Sequence, residues 1–292
     1  MKIKVSTGER IANVSINAAL FLMTVAATYP FLFVVFASLS DPIKVMQSNS
    51  ILLWPKGFQI GSYMLVLHNQ MIGVGYRNTL IYLIIGTIFN VFLTSMGAYA
   101  LSRKDLYGKN AAMFFIAFTM FFSGGMIPTF LLVKQLNILN TIWAMIIPNA
   151  ISVWNLVIMR TSFQAMPESI IESAKLDGAN DFLILFKLVI PLSMPVVSVI
   201  MLFYGVYHWN DFFNALLYLR DRELYPIQLV LRDILIQNST ESMTRGVKID
   251  KIPIGETVKY ATIVIATVPI LFIYPFIQKY FIQGVMIGAI KE

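Results

Sequence analysis

Cysteine is absent from the 292 residues, so no disulfide framework, thiol nucleophile or cysteine-ligated metal can be built. Histidine is nearly so. His68 and His208 lie far apart in sequence, which argues against a histidine-rich metal site. Charge is also scarce, at 13% of residues, against about a quarter in soluble domains. Water cannot then be the main solvent of this protein's surface. The phosphate-binding pattern GxxxxGK[ST] does not occur; its nearest fragment, Gly108-Lys109-Asn110, lacks both the earlier glycine and the hydroxyl. GxSxG and HExxH are missing too, so the residues argue against an enzyme.

Apolar residues supply what charge does not: 58% of the chain is hydrophobic. Six stretches reach the roughly 20 residues that a bilayer crossing needs. They run over 11–37, 78–101, 111–133, 141–159, 188–207 and 260–277. Backbone groups in lipid must be satisfied within the segment, so each is expected to be a helix. As drawn, none of the six contains Asp, Glu, Lys or Arg. That weakens any proton-coupled or voltage-sensing reading, because such devices place ionisable groups inside the membrane. Sodium coupling through carbonyls and hydroxyls is left open. Energy for uphill transport would have to enter from another protein.

The formal charge of +7 reads as helix-flanking anchors rather than a nucleic-acid footprint, since no basic run exceeds Arg103-Lys104. Lys2, Lys4 and Arg10 precede the first stretch, which is too long for a signal-peptide core and is expected to remain as a helix. Basic residues are denser in the short inner segments if the amino terminus is cytoplasmic, which favours that orientation. Residues 38–77, with Trp54, Pro55, Gly57 and Tyr63, read as a folded loop on the outer membrane surface. Further on, Ile227, Val230, Leu231, Ile234 and Leu235 follow Pro226 at helical spacing, with Arg232 and Asp233 opposite, and predict a surface helix over 226–237.

One inner segment carries more information than the others. Pro167 suits a helix start and Gly178 a left-handed stop, so 168–177 should form a short helix. Asn180 can cap a second helix through Phe182, Phe186 and Leu188. Ile170, Ile171 and Ala174 fall on one side and are expected to press into a partner's groove, with small residues at Ser173, Ala174 and Ala179 allowing close approach. By itself, such a loop could be no more than a structural helix on the membrane surface.

The spacing of the segment resembles the "EAA" signature of ABC importer permeases: Glu-Ala-Ala, three residues, Gly, nine residues, Ile-x-Leu-Pro. Here it reads Glu172-Ser173-Ala174, Gly178 and Leu188-Val189-Ile190-Pro191, with Asp177-Gly178-Ala179 matching the fuller form. Ser stands for Ala at 173, and Leu and Ile are exchanged in the last element. Similarity continues through Asn78-Thr79-Leu80, Ile127–Val133 and Trp209-Asn210-Asp211-Phe212 to the tail from Gln278. These are similar to the maltose-type branch, in its smaller, six-span subunit. Tyr29-Pro30-Phe31, Ser38–Pro42 and Ser123-Gly124-Gly125 resemble members that handle complex oligosaccharides and polysaccharide fragments.

That resemblance implies an all-α integral membrane protein of the type I ABC importer permease fold, with six transmembrane helices and a cytoplasmic coupling helix. Residues 1–77 would be a first helix with its external loop. Residues 78–292 would be a five-span core permease domain, with coupling loop 160–187 and external segment 209–258. The implied setting is a bacterial cytoplasmic membrane with both termini inside. The implied partners are a second, dissimilar permease subunit, two ATPase subunits that hold ATP and Mg, and an extracytoplasmic binding protein that delivers an oligosaccharide. Glu172, Ser173, Ala174, Asp177, Gly178, Ala179, Leu188 and Pro191 become the coupling set. For the sugar path, Tyr204, Tyr207, Trp209, Asn210 and Asp211 offer aromatic faces and planar polar groups, and Asn90 and Asn149 offer polarity inside spans. Each has a blander role as interfacial belt or interhelical glue. A permease for a non-sugar solute and a non-transport membrane scaffold or receptor stay open beside this reading.

Overall fold

The computed structural model describes residues 7–47, 51–244 and 257–272. Among these residues every regular element is helical: α1 Thr7–Ser38, α2 Pro42–Gln47, α3 Gly61–Leu67, α4 Gln70–Ser102, α5 Lys109–Phe121, α6 Met126–Gln135, α7 Ile142–Ile146, α8 Val153–Gln164 and α9 Glu168–Leu176. There follow α10 Asp181–Ile184, a π turn at Leu185–Val189, α11 Ile190–Leu192, α12 Met194–Asn210, α13 Phe213–Tyr218, a 3-10 turn at Arg222–Leu224 and α14 Ile227–Thr244. The last, α15, is Thr257–Phe272.

Two helices, α1 and α4, are long and apolar enough to cross a membrane, or up to four crossings if each of two bent pairs is one. Three of the six expected stretches are broken. The stretch 111–133 is broken between α5 and α6 with a 114° bend, where Gly125 takes φ +86°, a conformation that costs glycine little. The stretch 141–159 is interrupted between α7 and α8 around Pro148, which has no backbone donor to continue a helix. The stretch 188–207 turns by 90° at Ser193, flanked by Pro191 and Pro195. Of the sixth stretch, α15 covers the part up to Phe272; the remainder lies outside the described residues.

The chain divides into two units. One holds α1 to α3 and the residues from Leu231 to Val268. Hydroxyls inside α1 are satisfied locally, with Thr24 Oγ1 donating to the Leu20 carbonyl at 2.8 Å and Thr28 Oγ1 to that of Thr24 at 2.7 Å. Residues 38–47 and 51–63 are held by local hydrogen bonds. Asp41 Oδ1 accepts from the Ile43 amide at 2.9 Å and so caps α2. Ser40 Oγ accepts from the Lys56 amide at 2.9 Å, and the Ser38 and Tyr63 hydroxyls pair at 2.7 Å.

The other unit is built on α4, which begins eight residues before the expected Asn78 and packs along α8 and α12. Its buried residues include Asn78, Tyr82, Gly86, Asn90, Thr94 and Ala98, a stripe with a step of four. Four residues exceed one helical turn by about 40°, so the stripe winds around the helix and meets different neighbours along its length. At one end Asn78 Nδ2 donates to the carbonyls of Glu223 (2.6 Å) and Tyr225 (3.1 Å), and Tyr82 OH donates to that of Leu224 (2.6 Å). The Ile227 amide donates to Thr79 Oγ1 at 2.8 Å. The predicted surface helix is therefore present as α14, but its first turn is buried: Ile227, Leu229 and Val230 lie inside this unit.

Candidate functional site

The loop that follows α8 forms as its residues dictate. Pro167 stands at the N-cap of α9, and the nine-residue helix ends at Leu176. Gly178 takes φ +83°. Its amide donates to the Lys175 carbonyl at 3.0 Å, and the Ala179 amide donates to the Ala174 carbonyl at 2.9 Å. This pair of bonds is a Schellman stop, which requires a left-handed residue at that position. A β-carbon on Gly178 would meet nothing within 4 Å, so the demand for glycine comes from the backbone alone. Asn180 Oδ1 then accepts from the Leu183 amide at 2.8 Å and opens α10.

The loop's apolar face differs from the expected one. Ile171 is 6% exposed and Ala174 packs beside it in the chain's own core. They fasten α9 to the unit instead of offering it to a partner. The apolar side chains turned outward are Ile170, Phe182, Leu183 and above all Leu176, at 89% exposure. Glu172, Ser173, Asp177 and Gly178 are exposed, and Ser173 Oγ donates back to the Ser169 carbonyl at 2.7 Å. Leu188 is half-buried and Pro191 exposed, near the right-angle turn of the chain.

Around the C-terminal end of α4, polar groups reach the loop from several sides. Tyr99 OH donates to Asp181 Oδ1 at 2.9 Å. Lys175 Nζ lies 3.7 Å from Asp105 and 4.0 Å from Asp181, and Lys104 pairs with Glu168. Arg160, from α8, donates through Nε to the Leu101 carbonyl at 2.9 Å. The hydrogen bond to Glu168, with the charges of Glu168 and Glu172, holds the Lys104 ammonium above the ordinary lysine range. Asp105, despite some desolvation, is held below the ordinary carboxylate range by a backbone amide and by Arg103 and Lys175. A cleft of about 380 Å³ opens here between Met96, Tyr99, Arg103, Asp181 and Leu185.

Deeper in the unit, the residues proposed for a sugar path separate into two groups. Asn90 and Asn149 come together, with Asn90 Nδ2 3.4 Å from the Asn149 carbonyl and 3.4 Å from His208 Nε2. Tyr204 OH pairs with Thr94 Oγ1 at 2.7 Å and accepts from the Ser152 amide at 2.9 Å. The ring of His208 lies on Gly86, where a β-carbon would stand 2.4 Å from Nε2. Buried side-chain atoms here, Asn90 Oδ1, His208 Nδ1 and Thr87 Oγ1, have no hydrogen-bond partner. In the second group, Asn214 Nδ2 donates to Tyr207 OH at 2.8 Å and to both oxygens of Asp211 at 3.0 and 2.9 Å. Trp209 is buried near Tyr76 rather than presented for stacking, and Asn210 turns back to the Val206 carbonyl at 2.8 Å.

Sequence reasoning missed Thr94, Ser152 and Asn214 in these groups, and Tyr99, Arg160 and Asp181 beside the loop. The four-residue stripe of α4 was a signal for Thr94; isolated polar residues such as Asp181 gave none.

A family model described as "Binding-protein-dependent transport system inner membrane component" matches residues 96–287. The chain is 41% identical over 288 residues to the polygalacturonan/rhamnogalacturonan transport system permease protein YtcP of Bacillus subtilis, covering 97% of this chain and 99% of that one. It is 38% identical over 262 residues to protein LplC of the same organism, covering 90% and 88%. A chain in the crystal structure of a bacterial ABC transporter involved in the import of the acidic polysaccharide alginate superposes with a TM-score of 0.86. That chain is 32% identical, and the match covers 96% of this chain and 100% of that one.

Proposed function

The chain belongs to the family of binding-protein-dependent transport system inner membrane components, and on that premise we propose how it serves an ABC importer of sugars. It is the permease subunit of such an importer, a transport component rather than an enzyme. In our reading six crossings, with both termini cytoplasmic, pair with a second, dissimilar permease subunit. Two ATPase subunits hold ATP and Mg, and an extracytoplasmic binding protein delivers the solute. The solute class we favour is fragments of acidic polysaccharides. Support comes from the 41%-identical relative named for polygalacturonan and rhamnogalacturonan, and from the structural neighbour named for alginate.

The observation that carries the mechanism is the geometry of α9. A short helix with a glycine-dependent stop presents Leu176 outward, with Phe182 exposed just beyond it on α10, while Ile171 locks its other side to the unit. Such a helix suits insertion into a cleft on an ATPase, with Glu172 and Asp177 on its exposed surface. Closure of the ATPases on ATP would draw α9 inward and tilt the spans towards outward access; hydrolysis would reset them. Asn90, Asn149 and Tyr204 stand where tilting would change the space between α4 and α12.

Replacement of Gly178 by Val tests this assignment, because a β-branched residue strongly disfavours positive φ. Membrane insertion should persist while uptake of oligogalacturonates or alginate oligosaccharides is abolished. Uptake at the wild-type rate would remove α9 from the coupling role. Growth on neither class, with an ATPase still co-purifying, would leave the coupling role and discard the acidic-sugar assignment.

A further inference from the structure

The polar ties that leave the loop converge on one place in the fold, and that place is neither of the helices that flank α9 in sequence. Its approach, α8, is tied through Arg160 Nε to the Leu101 carbonyl at 2.9 Å. The first turn of α9 is tied through Glu168 to Lys104, and its last turn through Lys175 to Asp105 at 3.7 Å. Its departure, α10, is tied through Asp181 to Tyr99 OH at 2.9 Å. Every one of these partners lies between Tyr99 and Asp105, in the last turns of α4 and the residues just beyond. Ion pairs between exposed side chains are individually weak. The hydrogen bond from Tyr99 is of another kind, since its donor is largely buried and its acceptor is a carboxyl oxygen. Four ties converging on seven residues restrict the loop more than any one pair does.

Helix α4 is also the element that meets the buried polar groups. Thr94 holds Tyr204, Asn90 holds the Asn149 carbonyl, and Gly86 receives the ring of His208. Tyr99 and Thr94 are little more than one turn apart on a continuous helix. We infer that the inner end of α4 is the post through which displacement of α9 reaches the polar core, with Tyr99, Lys104 and Arg160 as positioning residues for coupling. This inference rests on the reading of α9 as the coupling helix. It adds that α4 and the loop move as one body.

The absence of cysteine allows a clean test. Thr87 lies on α4 beside Gly205 of α12, and its hydroxyl has no partner. In the complex purified with its ATPase subunits, Thr87→Cys reports movement of α4 against α12 through its rate of maleimide labelling. Adding ATP should change that rate by about fivefold, the low end of ordinary coupling between sites. Tyr99→Phe, and separately Lys104→Glu, should shrink the change towards none while ATP turnover continues. Glu168→Lys added to Lys104→Glu should restore it. A purely structural role would lower the yield of complex and leave the ATP response of the surviving molecules intact. A full ATP response in both Tyr99→Phe and Lys104→Glu overturns the inference, and so does failure of the charge swap to restore it. Failure of any ATPase to co-purify would instead remove the importer reading on which it rests.

Discussion

Helices α1 and α4 have nearly the same length, 32 and 33 residues, and both are apolar enough to cross a bilayer. They are used in opposite ways. None of the most apolar stretch of α1 is buried within the chain, against 33% of that of α4. The difference lies in where polarity is placed. In α1 the hydroxyls of Thr24 and Thr28 turn back onto their own helix, so the outer surface needs no protein neighbour. In α4 the side chains of Asn78, Tyr82, Asn90 and Thr94 bond to other segments and fix which neighbours it has. Hydropathy finds both helices. The four-residue stripe distinguishes the one that organises a core.

Gly86→Val would break this contrast most sharply. The added carbon falls within the His208 ring, which is itself buried, so the two helices must separate. A loss of about 3 kcal/mol is expected, near the top of the usual range for overpacking, seen as a lower melting temperature in detergent. His208→Ala added to Gly86→Val should recover much of the single variant's loss, and no recovery would show that the ring is not the obstacle. Tyr204→Phe comes next. It leaves the Ser152 amide and the Thr94 hydroxyl short of a partner, at about 1–3 kcal/mol. Leu22→Ala on α1 should cost under about 0.5 kcal/mol in the isolated chain, as exposed sites do. A larger loss appearing only after assembly with another subunit would show that α1 is covered there by protein.

Much of the fold was legible because lipid leaves the backbone few choices. The extents of α1 and most of α4 follow from length and hydropathy, and α9 follows from Pro167 and Gly178. Proline marks where apolar stretches can break, but which proline breaks its helix was not legible. Pro30 sits within an unbroken α1, whereas Pro191 and Pro195 flank a right angle, and proline removes the same donor in each case. What decides between them is whether neighbours supply partners for a turned chain, which sequence does not display. The loop shows the same division. Its turn chemistry could be read residue by residue, but Ile171 was assigned outward and faces inward. A short amphipathic helix has one apolar face and two possible hosts, and pattern alone cannot choose between its own unit and a partner.

The right angle at Ser193 has a mechanical consequence. A rigid chain bent at one residue behaves as a bell crank, turning a push along one arm into a swing of the other. The arm from Asp181 to Leu192 is about 18 Å long and the arm from Met194 to Asn210 about 26 Å, at 1.5 Å per residue. Pivoting at Ser193 would carry a displacement applied near Asp181 to Asn210 enlarged by about two-fifths, and to His208 by about a quarter, redirected by a quarter turn. The π turn at Leu185–Val189 lies in the shorter arm, whereas the longer arm, which carries the buried histidine, is α-helical throughout.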